Sequence, residues 1–341
     1  MMKIGAFDTD REVLVIAEIG NNHEGSYALA EELIGRAAGA GAGAVKFQAI
    51  IPDKLVSPSD KARLAQLQRF QLRPEQLERL KVTADREGVL FLATPFALEC
   101  VPFLNGLVPA FKIASGDNNF FPLLAAVAET GKPVLLSTGM TSLQEIDTAI
   151  SFFQNAWKDF GIAPPPLAVL HCVVCYPTPP AEANLLAIRT LQQLTGVTVG
   201  YSDHTLGIEA AVLAAALGAR IIEKHFTIDK NFSEFRDHQL SANPEELREM
   251  VERIGEGQLL LGDGGKRVMD CERESLPRVR RSIVAARPIA AGEVISWDDL
   301  NWVRLGHGLA PGAEGLLLGR RARSAIPAGE AILPAGLGEA D

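Results

Sequence analysis

The sequence predicts a (β/α)8 (TIM) barrel followed by a small C-terminal β-rich domain. Two observations carry the barrel. Before about residue 265, eight short apolar or β-branched runs alternate with helical segments, and eight β/α units in about 250 residues is the size of such a barrel. Nearly every run also ends in polar side chains, which a barrel gathers at its carboxyl end and a bare scaffold would not need. A third observation marks the second domain. The alternation stops in the glycine- and charge-rich GDGGKRVMDCERESLPRVR (262–280), and the related pieces IAAGEVI (289–295) and IPAGEAI (326–332) follow it. The expected division is a barrel over 1–265, a linker over 266–280 and a β-rich domain over 281–341. A domain of that size is marginal alone and should dock on something. An open doubly wound sheet is the alternative, but the count of eight favours closure.

The elements follow in order. VLVIAEIG (13–20) ends near Glu18. The helical SYALAEELIGRAAGAGA after it closes on glycine, as a helix C-cap would. Its GAGAGA (39–44) leads into a strand, the reverse of a dinucleotide fingerprint, so it reads as a turn. AVKFQ (44–48) carries Lys46 and Gln48, and VLFLATPF (89–96) carries Thr94. AFKIASG (110–116) holds Lys112 and Ser115, and PVLLSTGM (133–140) holds Ser137 and Thr138. LAVLHCVV (167–174) holds His171, VTVGYSDH (197–204) ends in Ser202 to His204, and ARIIEKHF (219–226) contains Glu223 to His225. Each Ala-Gly-Glu of the tail reads as a tight turn between strands.

Composition narrows the class. A formal charge of −9 argues against nucleic acid and anionic membranes as partners. Four cysteines suggest a reducing compartment without a disulfide framework. MMKIGAFDTDREV lacks the apolar core of a signal peptide, and no run approaches the roughly 20 apolar residues of a membrane span. A cytoplasmic protein is expected.

His204 and His225 end two runs separated by one helix-length segment. On neighbouring parallel strands, roughly 5 Å apart, both imidazoles leave the same end of the sheet and can reach one divalent ion. Further oxygen ligands would be needed, with Glu18 and Asp237 the nearest candidates; hydrogen bonding within a packed rim is the plainer alternative. Cys172 and Cys175 could complete a closed Cys2His2 zinc site. Tyr176, Pro177 and Pro179 follow where a redox pair would open a helix, so the cysteines read better as core or rim residues. Lys46 and Lys112 lie inside apolar strands, where lysine is rarely buried unless it meets an anion. With Thr94, Ser115, Ser137 and Ser202 they describe a pocket for a small phosphate or carboxylate. A Schiff-base lysine and a snorkelling rim lysine are the rival readings.

Taken together, AEIGNNHEG, AVKFQ, FLATPF, KIASGD, LLSTGM, LHC…YPTP, GYSDHTLGIE and EKHFTID resemble the sialic acid synthase (N-acetylneuraminate synthase) family, which includes legionaminic and pseudaminic acid synthases and spore-coat polysaccharide relatives. RRSIVAARPIAAGEVI and NWVRLGHG resemble that family's C-terminal antifreeze-like (SAF) domain. The resemblance implies condensation of phosphoenolpyruvate with an open-chain N-acetylated hexosamine, N-acetylmannosamine or a diacetamido-trideoxyhexose, to a nonulosonic acid and phosphate. It implies a divalent ion on His204 and His225, manganese in first place, with magnesium or cobalt as alternatives. The phosphoenolpyruvate set carries over onto Lys46, Thr94, Lys112, Ser115, Ser137, Tyr176 and Ser202. Glu18 and Lys112 join the two histidines as catalytic positions. Gln48, Asp117, Asp237 and Arg304 take the sugar side, with Arg304 on a SAF domain that caps the partner's barrel in a domain-swapped homodimer. The chain departs from the family at Val173-Val174-Cys175, where one residue is commonly polar, and at Asp117, where glutamate is common. It departs again at Phe235-Arg236-Asp237-His238, and at Leu305 and His307. A Schiff-base sugar-acid aldolase and a catalytically silent sugar-binding relative are the competing functions.

Overall fold

The eight runs become eight parallel strands. They are β1 (Leu14–Gly20), β2 (Ala44–Ala49), β3 (Leu90–Pro95), β4 (Phe111–Ile113), β5 (Val134–Ser137), β6 (Leu167–Cys172), β7 (Thr198–Asp203) and β8 (Ile221–His225). The structure is a computed structural model and describes residues 2–340. Hydrogen-bonded neighbours run β3-β2-β1-β8-β7-β6-β5-β4, so the last strand closes on the first, with His225 beside Glu18. β3 and β4 abut without a ladder, and the barrel is therefore nearly closed.

Strand parity then sorts the side chains, because successive residues point to opposite faces. Low in the barrel, Leu14, Ile16, Ala44, Leu92, Leu135, Ala168, Leu170 and Ile221 make a fully buried apolar core. Met2 and Ile4, from a short hairpin of Lys3–Ile4 and Phe7–Asp8 ahead of β1, are buried in the same cluster. No sequence pattern pointed to this plug. Two residues further along the same faces stand Glu18, Lys46, Thr94, Ser137, Cys172 and Glu223, so the apolar floor gives way to a polar upper layer. The opposite parity, including Val15, Ala17, Val45, Phe47, Phe91 and Val169, packs on the helices in the larger core.

Local signals end the elements where the sequence indicated. The helix Tyr27–Gly39 starts at Ser26, whose hydroxyl accepts from the Leu29 amide at 3.3 Å. GAGAGA is a turn, with Gly41 at φ +91°. The helix Leu143–Asp159 opens with a reciprocal Ser142–Glu145 capping box.

The chain divides after Gly262 into two compact units. The second contains the strands β9 (Ser282–Ala285), β10 (Leu300–Val303), β11 (Arg320–Ala322) and β12 (Leu337–Ala340). β9 pairs antiparallel with β10, and β11 with β12. The two similar sequence pieces occupy equivalent places in these pairs. Ile289 and Ile326 bridge each other across them, and Gly292 and Gly329 turn at φ +82° and +83°. A left-handed turn residue is the reason for glycine at both. Ile283, Ile289, Ile295, Ile332 and Leu337 fill this unit's own core. Between Gly262 and β9 lie a single turn at Asp270–Glu272 and a short helix, Leu276–Val279.

Candidate active site

The polar upper layer lines a cavity of about 260 Å³ at the carboxyl end of the barrel. Glu18, Lys46, Gln48, Thr94, Lys112, Ser115, Ser137, Tyr176, Ser202, His204, His225 and Asp237 all border it. These residues come from all eight strands or their following loops, so only the closed barrel brings them together. Asp117 does not line the cavity; it ends the single turn Ser115–Asp117 after β4, where burial raises its carboxyl pKa. Arg304 belongs to the second unit, exposed just after β10. His171 and Thr138 have the wrong parity for the cavity. His171 instead bonds the Ala183 carbonyl at 2.8 Å and stacks on Tyr201, and Thr138 donates to the Leu170 carbonyl.

Charge in the deep layer is closely matched. Lys46 Nζ lies 2.9 Å from Glu18 and 3.7 Å from Glu223, and donates to Thr94 Oγ1 at 3.0 Å. Lys112 Nζ lies 3.6 Å from Glu223 and donates to Ser137 Oγ at 2.7 Å. The two lysines do share an anion, but it is the protein's own Glu223. This carboxylate also accepts from Ser202 Oγ at 2.8 Å. Sequence reasoning noted Glu223 among the strand ends without assigning it a role. The available signal was spacing, because Glu223 and His225 are two apart and must share a face.

Burial sets the protonation states. Desolvation opposes charge on Lys46, but Glu18 and Glu223 more than offset it and hold the ammonium above its ordinary pKa. At Lys112 burial wins over Glu223, and the pKa falls. Burial would raise Glu223, yet Lys112 and Lys46 together pull it down. Glu18 goes the other way: desolvation, reinforced by Glu223, outweighs Lys46 and raises it. Glu18 is therefore the carboxylate of the pair better able to take up a proton. A chain of amides, Asn21 to Gln48 at 2.9 Å and Gln48 to Glu18 at 3.0 Å, fixes its orientation.

The imidazoles of His204 and His225 have ring centroids 5.5 Å apart. His204 Nδ1 meets the Val173 carbonyl at 2.8 Å, so it carries the proton and leaves Nε2 free as a donor atom. The Nδ1 of His225 is buried with no hydrogen-bond partner among the described residues. Burial lowers the pKa of both rings, that of His204 to about 4, which keeps them neutral. An unpartnered buried nitrogen beside a second oriented imidazole fits two ligands of a divalent ion. Among the described residues no three His, Cys, Asp or Glu side chains converge on one point, so other ligands would have to be water or substrate oxygen. Cys175 is exposed and bonds the Pro177 carbonyl at 3.3 Å, which does not suit a closed Cys2His2 centre.

Four lining residues were not foreseen as site residues, Asn21, Arg63, Phe96 and Met140, while Cys172, Val174, Phe235 and Arg236 were noted in the sequence without a binding role. Val174 takes a place where a polar residue was expected from the resemblance. A Cβ on Gly139 would sit 2.5 Å from its Cγ2 and 2.7 Å from Ser115 Oγ, so Gly139 is required for close approach. The Gly139 amide donates to that same hydroxyl at 3.0 Å. Tyr176 packs on His204 with centroids 4.2 Å apart, and the Arg236 guanidinium covers its ring at 4.8 Å.

Outside the cavity, Lys224 and Asp203 brace the two histidine strands. They are ladder partners, fully buried, and 2.9 Å apart. Asp203 also accepts from the Thr205 amide and hydroxyl, and Lys224 from the other side donates to the Thr205 carbonyl. Lys224→Met leaves an uncompensated buried carboxylate and should cost about 3–5 kcal/mol. Urea unfolding checks this; a loss under 1 kcal/mol would contradict the pairing's structural weight.

His23, in the loop after β1, supplies a pH dependence. It is 1% exposed, its Nδ1 accepts from the Gly25 amide at 3.0 Å, and burial lowers its pKa to about 4. The unfolded chain therefore binds a proton near pH 6.5 that the folded chain refuses until about 4. Its contribution is complete above pH 6.5 and is lost as pH falls towards 4, by up to about 3 kcal/mol. His23→Gln should flatten unfolding free energy against pH in that window. An unchanged slope would mean that His23 is not the group responsible.

The chain matches the NeuB family over residues 33–266 and the SAF domain over 280–338. It is 38% identical to an N,N'-diacetyllegionaminic acid synthase of Campylobacter jejuni, over 88% of this chain and 92% of that one. An N-acetylneuraminic acid synthetase from Leptospira borgpetersenii superposes with a TM-score of 0.73 at 37% identity, covering 78% of this chain and 90% of the other. A putative spore coat polysaccharide biosynthesis protein E from Chromobacterium violaceum superposes with a TM-score of 0.81 at 30% identity, covering 96% of this chain and all of that one.

Proposed function

The chain belongs to the NeuB family and carries a SAF domain, and from that premise we propose that it is a transferase condensing phosphoenolpyruvate with an open-chain N-acetylated hexosamine to a nonulosonic acid and phosphate. One observation carries the reading. Two lysines, two glutamates, three serines and a threonine converge on the cavity that also holds the paired histidines. Relatives named as synthases of sialic and legionaminic acids support it, and keep N-acetylmannosamine and a diacetamido-trideoxyhexose as the acceptor candidates.

The residues divide the work as follows. Lys46, Lys112 and the hydroxyls of Thr94, Ser115, Ser137 and Ser202 bind the carboxylate and phosphate of phosphoenolpyruvate. Tyr176 walls the space between them and His204. Gln48 and Asp237 hold the sugar chain, joined by Arg304 from the SAF domain of the partner copy; Asp117, off the cavity, takes no part. His204 and His225 hold a divalent ion, manganese in first place, which when bound supplies Lewis-acid polarisation of the acceptor aldehyde. C3 of phosphoenolpyruvate forms a bond to the aldehyde carbon, water adds at C2, and the C2–O bond to phosphorus breaks with loss of phosphate. The aldehyde oxygen gains a proton as it becomes a hydroxyl, and Glu18, with its raised pKa and fixed orientation, takes the proton from the water. The SAF domain caps the barrel of a partner copy in a homodimer, and the Arg304 it contributes suits an anionic, water-poor site. Among the described residues no helix is long and apolar enough to cross a membrane.

A panel of acetamido-hexoses with phosphoenolpyruvate and manganese tests the reading, scored by phosphate release and product mass together. Phosphate release that requires both acceptor and metal supports it. Silence across the panel from folded protein overturns it. Borohydride trapping with pyruvate addresses the aldolase alternative: an adduct on Lys112 or Lys46 would favour a Schiff base.

A further inference from the structure

The two lysines that receive phosphoenolpyruvate deep in the cavity are already charge-matched before it arrives. Lys46 and Lys112 face Glu18 and Glu223, and Asp237 adds a third carboxylate to the lining. Phosphoenolpyruvate brings a carboxylate and a phosphate of about −2 charge at neutral pH. Two further cations line the same cavity, Arg63 and Arg236, and with them four positive groups face three negative ones. Without them the lining is net negative.

Their placement is at the opening. Arg63 is exposed on the helix Lys61–Phe70, which follows β2, and Arg236 is exposed at the start of the short helix Arg236–Leu240, which follows β8. β2 and β8 flank β1, so the two arginines stand on the loops either side of Glu18. Both also border an adjoining outer recess of about 560 Å³ with Glu24, Gln66, Arg69, Ser233, Glu234 and Phe235. There Arg69 is taken by Glu24 at 3.6 Å, and Glu234 offsets part of the remaining charge. Arg63 bonds the neutral Gln66 at 2.6 Å, and Arg236 lies over Tyr176 with Asp237 3.4 Å away. Exposed guanidinia at a mouth govern the field that an anion meets before it binds, whereas buried, matched lysines contribute little outside.

Resting on the reaction proposed above, we propose that Arg63 and Arg236 form a cationic mouth that steers phosphoenolpyruvate into the barrel. The neutral acceptor gains nothing from it. The test is steady-state kinetics of Arg63→Gln, Arg236→Gln and the double variant across ionic strength. The double variant should lose at least about tenfold in kcat/KM for phosphoenolpyruvate at low salt, and its salt dependence should flatten. The acceptor's kcat/KM should change less than twofold. The charge-keeping pair Arg63→Lys and Arg236→Lys should retain the salt dependence. An unchanged salt slope in the glutamine variants, or a loss that falls on the acceptor instead, overturns the proposal. Calorimetric binding of phosphoenolpyruvate to the same variants needs no acceptor. Weaker, less salt-sensitive binding there supports the mouth even if no acceptor turns over, and binding equal to the parent's overturns it.

Discussion

Glu223→Gln should lower kcat/KM for phosphoenolpyruvate by two to three orders of magnitude and destabilise the barrel by about 3–5 kcal/mol. Among the described residues Glu223 is the one carboxylate within ion-pair reach of both Lys46 and Lys112, and it also receives the Ser202 hydroxyl. Glutamine keeps the volume and one acceptor oxygen but leaves Lys112 with no carboxylate within 4 Å among the described residues. Burial already lowers the pKa of Lys112, so without Glu223 its charged form becomes still less favourable. Lys46 retains Glu18 at 2.9 Å and should remain charged. The two losses are separable. Urea unfolding reads the stability, and initial rates at subsaturating phosphoenolpyruvate read the activity. A variant that binds and turns over phosphoenolpyruvate like the parent would show that the shared carboxylate does not organise the lysines.

His225→Gln should weaken manganese binding by about 100-fold or more, measured by calorimetry on protein stripped of metal. The expectation follows from the buried, unpartnered Nδ1 of His225 and from the Val173 carbonyl that orients His204. His204→Gln should behave alike, since two protein ligands cannot hold the ion if either is lost. Cys175→Ser supplies the contrast: its thiol is exposed and engaged with the Pro177 carbonyl, so metal affinity should hold. Equal losses in the histidine and Cys175 variants would favour a closed cysteine–histidine centre over the open one. Parent-like affinity in both histidine variants would remove the ion from these side chains altogether.

Much of the fold was legible because it rests on short-range periodicity. All eight strands stand within a few residues of the runs that predicted them, and GAGAGA is the turn it was read to be. The tail's two Ala-Gly-Glu pieces are equivalent turns with left-handed glycines. The plug of Met2 and Ile4 was not legible, since a two-residue strand is too short to carry a period. Most of the candidate site was legible as well, because a lysine inside an apolar strand needs a reason. Strand parity alone separates Glu223 and His225 from Lys224, and His171 from Leu170 and Cys172.

The sequence by itself therefore determined the strand count, the barrel class and which face each strand residue takes, since a period of two is local. Only the tertiary structure decided who meets whom. Closure of β8 on β1 sets His225 beside Glu18, some 200 residues away in the chain. It also gives both lysines to Glu223, and it sets Arg63 and Arg236 on the loops that flank β1. Such pairings depend on ladder order and barrel closure, which bring together segments that no local pattern relates.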